Sequence, residues 1–178
     1  MTPRGEIPVE TLDIGMPVLT RDSGVRAIVH VTSVTLDYGQ LAARPHLRPV
    51  LLRGGSLDQG LPERDMLVSP NLRFLVDSRR STLRFAEHEA LCAAKHLTNS
   101  RDIRGVEALG VTYVHFHFDR HQVVLANGTW AEAFDPRDRS VGGLGNAQRN
   151  ELAELFPGMG TPGALKPRRR LRGELLRF

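Results

Sequence analysis

Short runs of apolar and β-branched residues, interrupted by Gly, Pro, Asn and Asp, make up most of the chain up to Phe134. Gly5 to Pro8 leads into Val9–Ile14, Met16–Thr20 precedes the turn Asp22-Ser23-Gly24, and Val25–Leu36 alternates with many β-branched residues. This pattern predicts three early strands. Arg48–Arg53, closed by Gly54-Gly55, then Met66–Val68 ahead of Ser69-Pro70-Asn71, and Arg73–Asp77 predict three more. Such spacing is that of a barrel or sandwich of short strands. Glu87–Leu97 departs from it, with good helix formers and Ala90, Leu91, Ala94 and Leu97 on one side. One short helix is expected near 87–97, ended by Thr98-Asn99-Ser100. Gly110–Asp119 then reads as a strand, with His121–Ala126 expected to pair with it as a hairpin across Asp119-Arg120. Asn127-Gly128 is the strongest single turn dipeptide in the chain.

After Phe134 the character changes to Asp135-Pro-Arg-Asp-Arg-Ser and Gly142-Gly-Leu-Gly, followed by a helical pattern over 147–156 and a Pro/Gly-rich stretch. The expected organisation is a mostly β domain over 1–134, its N-terminal edge truncated. A flexible appendage over 135–178 follows, holding the short helix 147–156 and a basic tail 166–178, with little core of its own.

Composition adjusts this picture in three places. With 178 residues and 40% hydrophobic positions, the chain can bury a core. The net charge of +4 is carried by the tail, since Lys166–Phe178 holds six basic residues and one acid, leaving residues 1–165 near −1. The single cysteine, Cys92, excludes an internal disulfide framework and any zinc site built from several thiolates. No apolar run has signal-peptide or membrane-span length, so the chain is expected to lack a membrane span and to be cytoplasmic by default.

Three blocks carry a resemblance. Thr2-Pro-Arg-Gly5-Glu-Ile-Pro-Val-Glu, continuing through Leu12, Gly15, Val18, Thr20, Asp22 and Gly24, is the first. Arg48-Pro-Val-Leu-Leu-Arg, extended to Pro62-Glu-Arg-Asp-Met-Leu-Val-Ser-Pro-Asn-Leu-Arg-Phe-Leu-Val, is the second. Val111–Glu132, with Tyr113, the Asp119-Arg120-His121 turn and Ala126-Asn-Gly, is the third. Together they resemble the Hint domains of Hedgehog proteins and inteins, in particular a bacterial standalone subgroup. The resemblance implies an all-β horseshoe of two related halves. In active relatives it also implies an amide-to-thioester rearrangement at the domain's own N-terminus. That chemistry needs a cysteine nucleophile shortly upstream of the Thr2 position, oxyanion donors, and a middle-block Ser/Thr-x-x-His whose histidine moves a proton.

Against that requirement, the middle block reads Ser69-Pro70-Asn71-Leu72. Leucine stands where the histidine is expected, and it can neither donate nor accept a proton. No cysteine precedes Thr2 in the chain, Gly15-Met16 replaces the usual Gly-Asp, and the chain ends Leu-Arg-Phe without the His-Asn pair of intein splicing. No intact catalytic set is therefore expected. The vestigial positions are Ser69, Asn71 and Leu72 in the middle block, Tyr113 and His121 in the closing block, and Thr2 and Gly5 in the opening block.

Cys92, placed mid-helix, reads as a small buried hydrophobe rather than a relocated nucleophile. His115, His117 and His121 are the candidate metal ligands. However, Val114, Phe116 and Phe118 should take the core face and leave His115 and His117 on a solvated one, so neither metal nor cofactor is expected. His121 reads as a shape-holding hairpin residue, and Trp130 as core. The basic tail could hold anions, but without aromatic interleaving a nucleic-acid partner is not expected. Three readings stand: a degenerate Hint domain serving as a non-catalytic scaffold or interaction module for an unknown protein partner, or residual thiol-dependent autoproteolysis if translation starts upstream. Anion or nucleic-acid binding through the tail is the third.

Overall fold

The computed structural model describes residues 1–77, 89–135 and 146–157. The described chain is mostly β. Strands β1 (Pro17–Thr20), β2 (Gly24–Ala27), β3 (His30–Asp37), β4 (Val50–Leu52), β5 (Met66–Val68) and β6 (Arg73–Asp77) fall where strands are predicted. β7 (Glu89–Ala93), β8 (Ile103–Gly105), β9 (Gly110–His117), β10 (Gln122–Ala126) and β11 (Thr129–Ala133) follow, with helices α1 (Tyr38–Ala43) and α2 (Asn146–Leu155). They form a six-stranded sheet in the order β2-β1-β10-β11-β6-β7, a ribbon β3-β9, and a three-stranded sheet β5-β4-β8, all antiparallel. Among the described residues no helix is long and apolar enough to cross a membrane.

The predicted first strand, Val9–Ile14, is instead a 3₁₀ turn at Val9–Thr11 followed by extended chain. The predicted third strand is split at Ile28 and Val29. There Ile28 N–H donates back to Met16 O, while Val29 N–H donates to His117 O in the ribbon. Helix α1 was not foreseen. It starts on a capping box in which Asp37 accepts from Gln40 N–H and the Gln40 side chain answers Asp37 N–H.

The helix expected near 87–97 is not formed; its described part is β7 and a 3₁₀ turn, Ala94–His96. β7 runs in register with β6 from Arg73↔Ala93 to Asp77↔Glu89. Helix propensity favours Glu, Ala and Leu by only tenths of a kcal/mol per residue. Pairing with β6 satisfies a row of backbone groups and buries Cys92 and Ala94 beside Phe74 and Val76, so packing overrides propensity. The expected β9–β10 hairpin is also absent. β9 pairs along its length with β3, and β10 pairs with β11 and β1. Asp119-Arg120 instead carries the chain from the ribbon to the large sheet, pivoting on Phe118, which is fully buried. The Asn127-Gly128 turn closes β10–β11 as predicted, with both residues at positive φ.

Three apolar clusters hold the layers together. The first lies between the three-stranded sheet and β6-β7, and the third between β1, β3 and β10-β11. The second joins Leu36, Leu41, Leu47, Tyr113 and Phe134 to Leu152, Leu155 and Phe156. The helix predicted over 147–156 therefore seats its apolar side on the domain rather than hanging from it. The basic tail, 166–178, lies outside the described residues. Trp130 is half-buried on β11, not a core residue.

Candidate functional site

The middle-block motif forms the tight connection from β5 to β6. Leu72 N–H donates to Ser69 O at 3.1 Å and Asn71 N–H to Ser69 Oγ at 3.1 Å, a serine-capped turn. From outside, Ala94 N–H donates to Leu72 O at 2.9 Å and Lys95 N–H to Pro70 O at 3.0 Å. Leu72 turns its side chain onto the first apolar cluster. Ser69 Oγ and Asn71 Nδ2 instead both donate to the carboxyl group of Glu151 on α2. Burial pushes the Glu151 carboxyl above its ordinary range, and the hydrogen bonds from Ser69 and Asn71 do not make up the loss.

One residue further, Arg73 enters a different network. Glu132 is fully buried and accepts from Arg73 Nε at 2.6 Å and from Arg73 Nη2, a forked pair. His121 Nε2 lies 2.7 Å from Glu132 Oε1, and Gln148 Nε2 donates to Oε2 at 2.8 Å. Burial alone would raise the Glu132 carboxyl, but the bonds from His121, Arg73 and Gln148 hold it below its ordinary value. β6, the link before β10, and α2 thus each send one side chain to the single carboxylate carried by β11. The partner of His121 is an acid, and about a quarter of its side chain stays exposed.

Tyr113 serves elsewhere: its hydroxyl donates to Leu47 O at 2.7 Å, and burial pushes the phenol pKa upward. His115 and His117 are not on a solvated face. Strand β9 is covered on both sides: Val114 and Phe116 pack on the third cluster, while Tyr113, His117 and the ring of His115 turn toward the α2 side. His117 is 1% exposed, and ring centroids are 5.9 Å apart for His115–His117 and 5.2 Å for His30–His117. Burial, with His117 and His30 adding to it, pushes the His115 pKa down to about 3. Among the described residues no group of three or more His, Cys, Asp or Glu is placed to hold a metal ion. Cys92 is buried as expected, though on β7 rather than a helix, and burial raises its thiol.

At the opening block, Thr2 and Gly5 close a small loop through Thr2 N–H to Gly5 O at 2.9 Å and Gly5 N–H to Thr2 O at 3.0 Å. Gly5 sits at φ +111°, a backbone state that L side chains rarely adopt. Met1 is wedged between β1 and β10: its amine donates to Leu125 O at 2.6 Å and its carbonyl accepts from Leu19 N–H at 2.9 Å. It borders a cleft of about 420 Å³ lined by Ile7, Val9, Met66, Phe116 and Ala126, rimmed by the Arg64–Glu6 ion pair. Met66 and Ala126 also pack on the cluster that receives Leu72, so the cleft and the motif share a wall.

Sequence reasoning missed Arg73, Glu132, Gln148 and Glu151. The available signal was two opposite charges at inward positions of apolar strands, plus two amide or acid groups three residues apart on one helix face. No curated protein matches the chain, and no solved structure does. A family model described as Hint domain matches residues 1–138, taking in the motif loop, His121 and Glu132 and stopping short of α2. Three blocks in order on an all-β frame, matched over most of the sequence, place this chain in the Hint domain family.

Proposed function

We propose that this Hint domain is a non-catalytic scaffold in which the middle-block motif has become a structural joint. The observation that carries the reading is the fate of the three motif side chains. Leu72 is committed to the apolar cluster, and Ser69 and Asn71 are both committed to Glu151, so no group of the motif is left to move a proton. Loss of a general acid or base typically costs 10²–10⁴-fold in rate. The remaining folded body is a rigid platform for a protein partner.

The test is a reporter joined through cysteine directly to Thr2, made with Leu72 and with Leu72→His, and treated with a thiol. No released reporter from the Leu72 form is expected. Release from the Leu72→His form alone supports the reading, because it locates the loss at that position. Release from the Leu72 form overturns it.

A second reading, residual autoprocessing from a cysteine upstream of Thr2, is favoured by one observation. His121 is a partly exposed imidazole backed by the buried Glu132 carboxylate, the arrangement of an oriented base. In that reading the thiol adds to the preceding carbonyl and the amide nitrogen leaves with a proton, giving a thioester. It requires that release in the Leu72 form vanish on His121→Ala.

A further inference from the structure

Strand β8 is one edge of the three-stranded sheet, with β4 as its neighbour. Its register runs Val50↔Gly105, Leu51↔Arg104 and Leu52↔Ile103. Just beyond the two ends of that register, Val106 N–H donates to Pro49 O and Arg53 N–H to Asp102 O, both at 2.9 Å. Antiparallel pairs alternate between bonded and non-bonded positions. Arg104 therefore takes the bonded place opposite Leu51, and the N–H and C=O of Ile103 and Gly105 turn away from β4. At Ile103 those outward groups are filled by Asn99, whose N–H donates to Ile103 O at 2.9 Å and whose Oδ1 accepts from Ile103 N–H at 3.0 Å. At Gly105, which is exposed, nothing among the described residues fills them. Residue 105 has no side chain to shield this open stretch of edge.

Gly105 borders a cleft of about 580 Å³ that reaches to the motif loop, with Val50, Pro70 and Val106 as its apolar lining. The charged groups on its wall are His46, Arg48, Lys95 and Glu107. Arg48 Nη1 lies 3.2 Å from Glu107 Oε1, and His46 Nε2 lies 2.8 Å from Glu154 Oε2, so both have carboxylate partners. Lys95 makes no ion pair among the described residues. Glu151 feels its charge but is taken up by Ser69 and Asn71. The backbone of Lys95 is pinned to the rim, its N–H donating to Pro70 O at 3.0 Å and its C=O accepting from Thr98 Oγ1 at 3.1 Å. An exposed ammonium and an open pair of strand groups thus share one cleft.

We propose that the β8 edge and this cleft dock a partner protein's extended segment that carries a carboxylate. The segment adds to the sheet as a strand, its backbone taking the N–H and C=O of Gly105, and its alternate side chains enter the cleft, where the carboxylate meets Lys95. A small free anion could take Lys95 and the Gly105 N–H but would leave the Gly105 C=O without a donor, so a peptide fits the pair of groups better than an ion does. This inference rests on the scaffold reading, since it names the kind of partner the platform takes.

The probe is the blocked pentapeptide acetyl-Thr-Val-Glu-Val-Thr-amide, titrated into the full chain at low salt and followed by amide NMR and hydrogen exchange. It is expected to slow exchange of the Gly105 amide. A twin peptide with Gln in place of Glu, and the Lys95→Gln variant, are each expected to weaken binding by about fivefold, with no further loss when the two are combined. Added salt should erase the difference between the two peptides, and a twin N-methylated at every residue should not bind. Lack of binding at millimolar peptide, binding that leaves Gly105 exchange unchanged, additive losses in the combined pair, or equal protection of Gly105 by sodium acetate would each overturn the docking site. Failure here with no released reporter strikes this site alone, whereas reporter release from the Leu72 form strikes the scaffold reading.

Discussion

Two buried carboxylates draw donors from one short stretch, Glu151 from Ser69 and Asn71 and Glu132 from Arg73, and their partners leave them in opposite states. Glu132 is held below the ordinary range, whereas Glu151 is pushed above it. Glu132 meets a permanent cation in forked geometry, an imidazole and an amide; Glu151 meets only a hydroxyl and an amide. Neutral donors do not offset the cost of burying a charge, and a guanidinium with a second donor does. One cluster is an ionic keystone and the other a clasp whose hydrogen-bond donors are uncharged.

The comparison breaks most visibly at the keystone. Glu132→Ala leaves Arg73 buried and unpaired, and is expected to destabilise the domain by about 3–5 kcal/mol in urea unfolding. A loss below about 1 kcal/mol would mean that Arg73 finds water instead. Next in size, Leu72→His puts a polar ring against the first apolar cluster and should cost about 1–3 kcal/mol by the same measurement.

The clasp predicts something smaller and of opposite sign. Because the folded-state value of Glu151 is raised, its contribution is present below the ordinary carboxylate value and is lost as pH rises through the folded value. Glu151→Gln keeps an acceptor for one donor and removes the ionisation. It should match the parent near pH 4 and be as stable or more stable at pH 8; a variant markedly weaker at pH 8 would make Glu151 a true ionic partner. Smallest of all, Arg21→Ala removes an exposed pair with Glu89 and should shift stability by less than about 0.5 kcal/mol.

The sequence made much of the frame legible. β4, β5 and β6 lie between strong turn signals, Asn127-Gly128 fixes the β10–β11 turn, and α2 falls almost where its period places it. Misread elements share a cause. Glu89–Ala93 is composed like a helix but is claimed by the open side of β6, and β9 is claimed by β3, 73 residues or more distant in register at every pair. Local composition carries no record of such long-range partners. The site was legible only as family positions. Leu72 and His121 stand out in the blocks, but their partners Glu132 and Glu151 are defined by where a strand and a helix meet in space. Arg73 lies next to Leu72 and was passed over because it opens an apolar run.

The keystone also bears on how the chain reaches this state. Arg73, His121 and Gln148 come from three separate stretches, the first and last 75 positions apart, and none can satisfy the Glu132 carboxylate alone. Until all three arrive, Glu132 keeps its water and its part of the sheet stays cheap to open. The final ordering of the six-stranded sheet and the seating of α2 are thereby tied into one all-or-none event. A chain cut at the end of the family match, residue 138, would retain every described strand yet lose the sharpness of its unfolding.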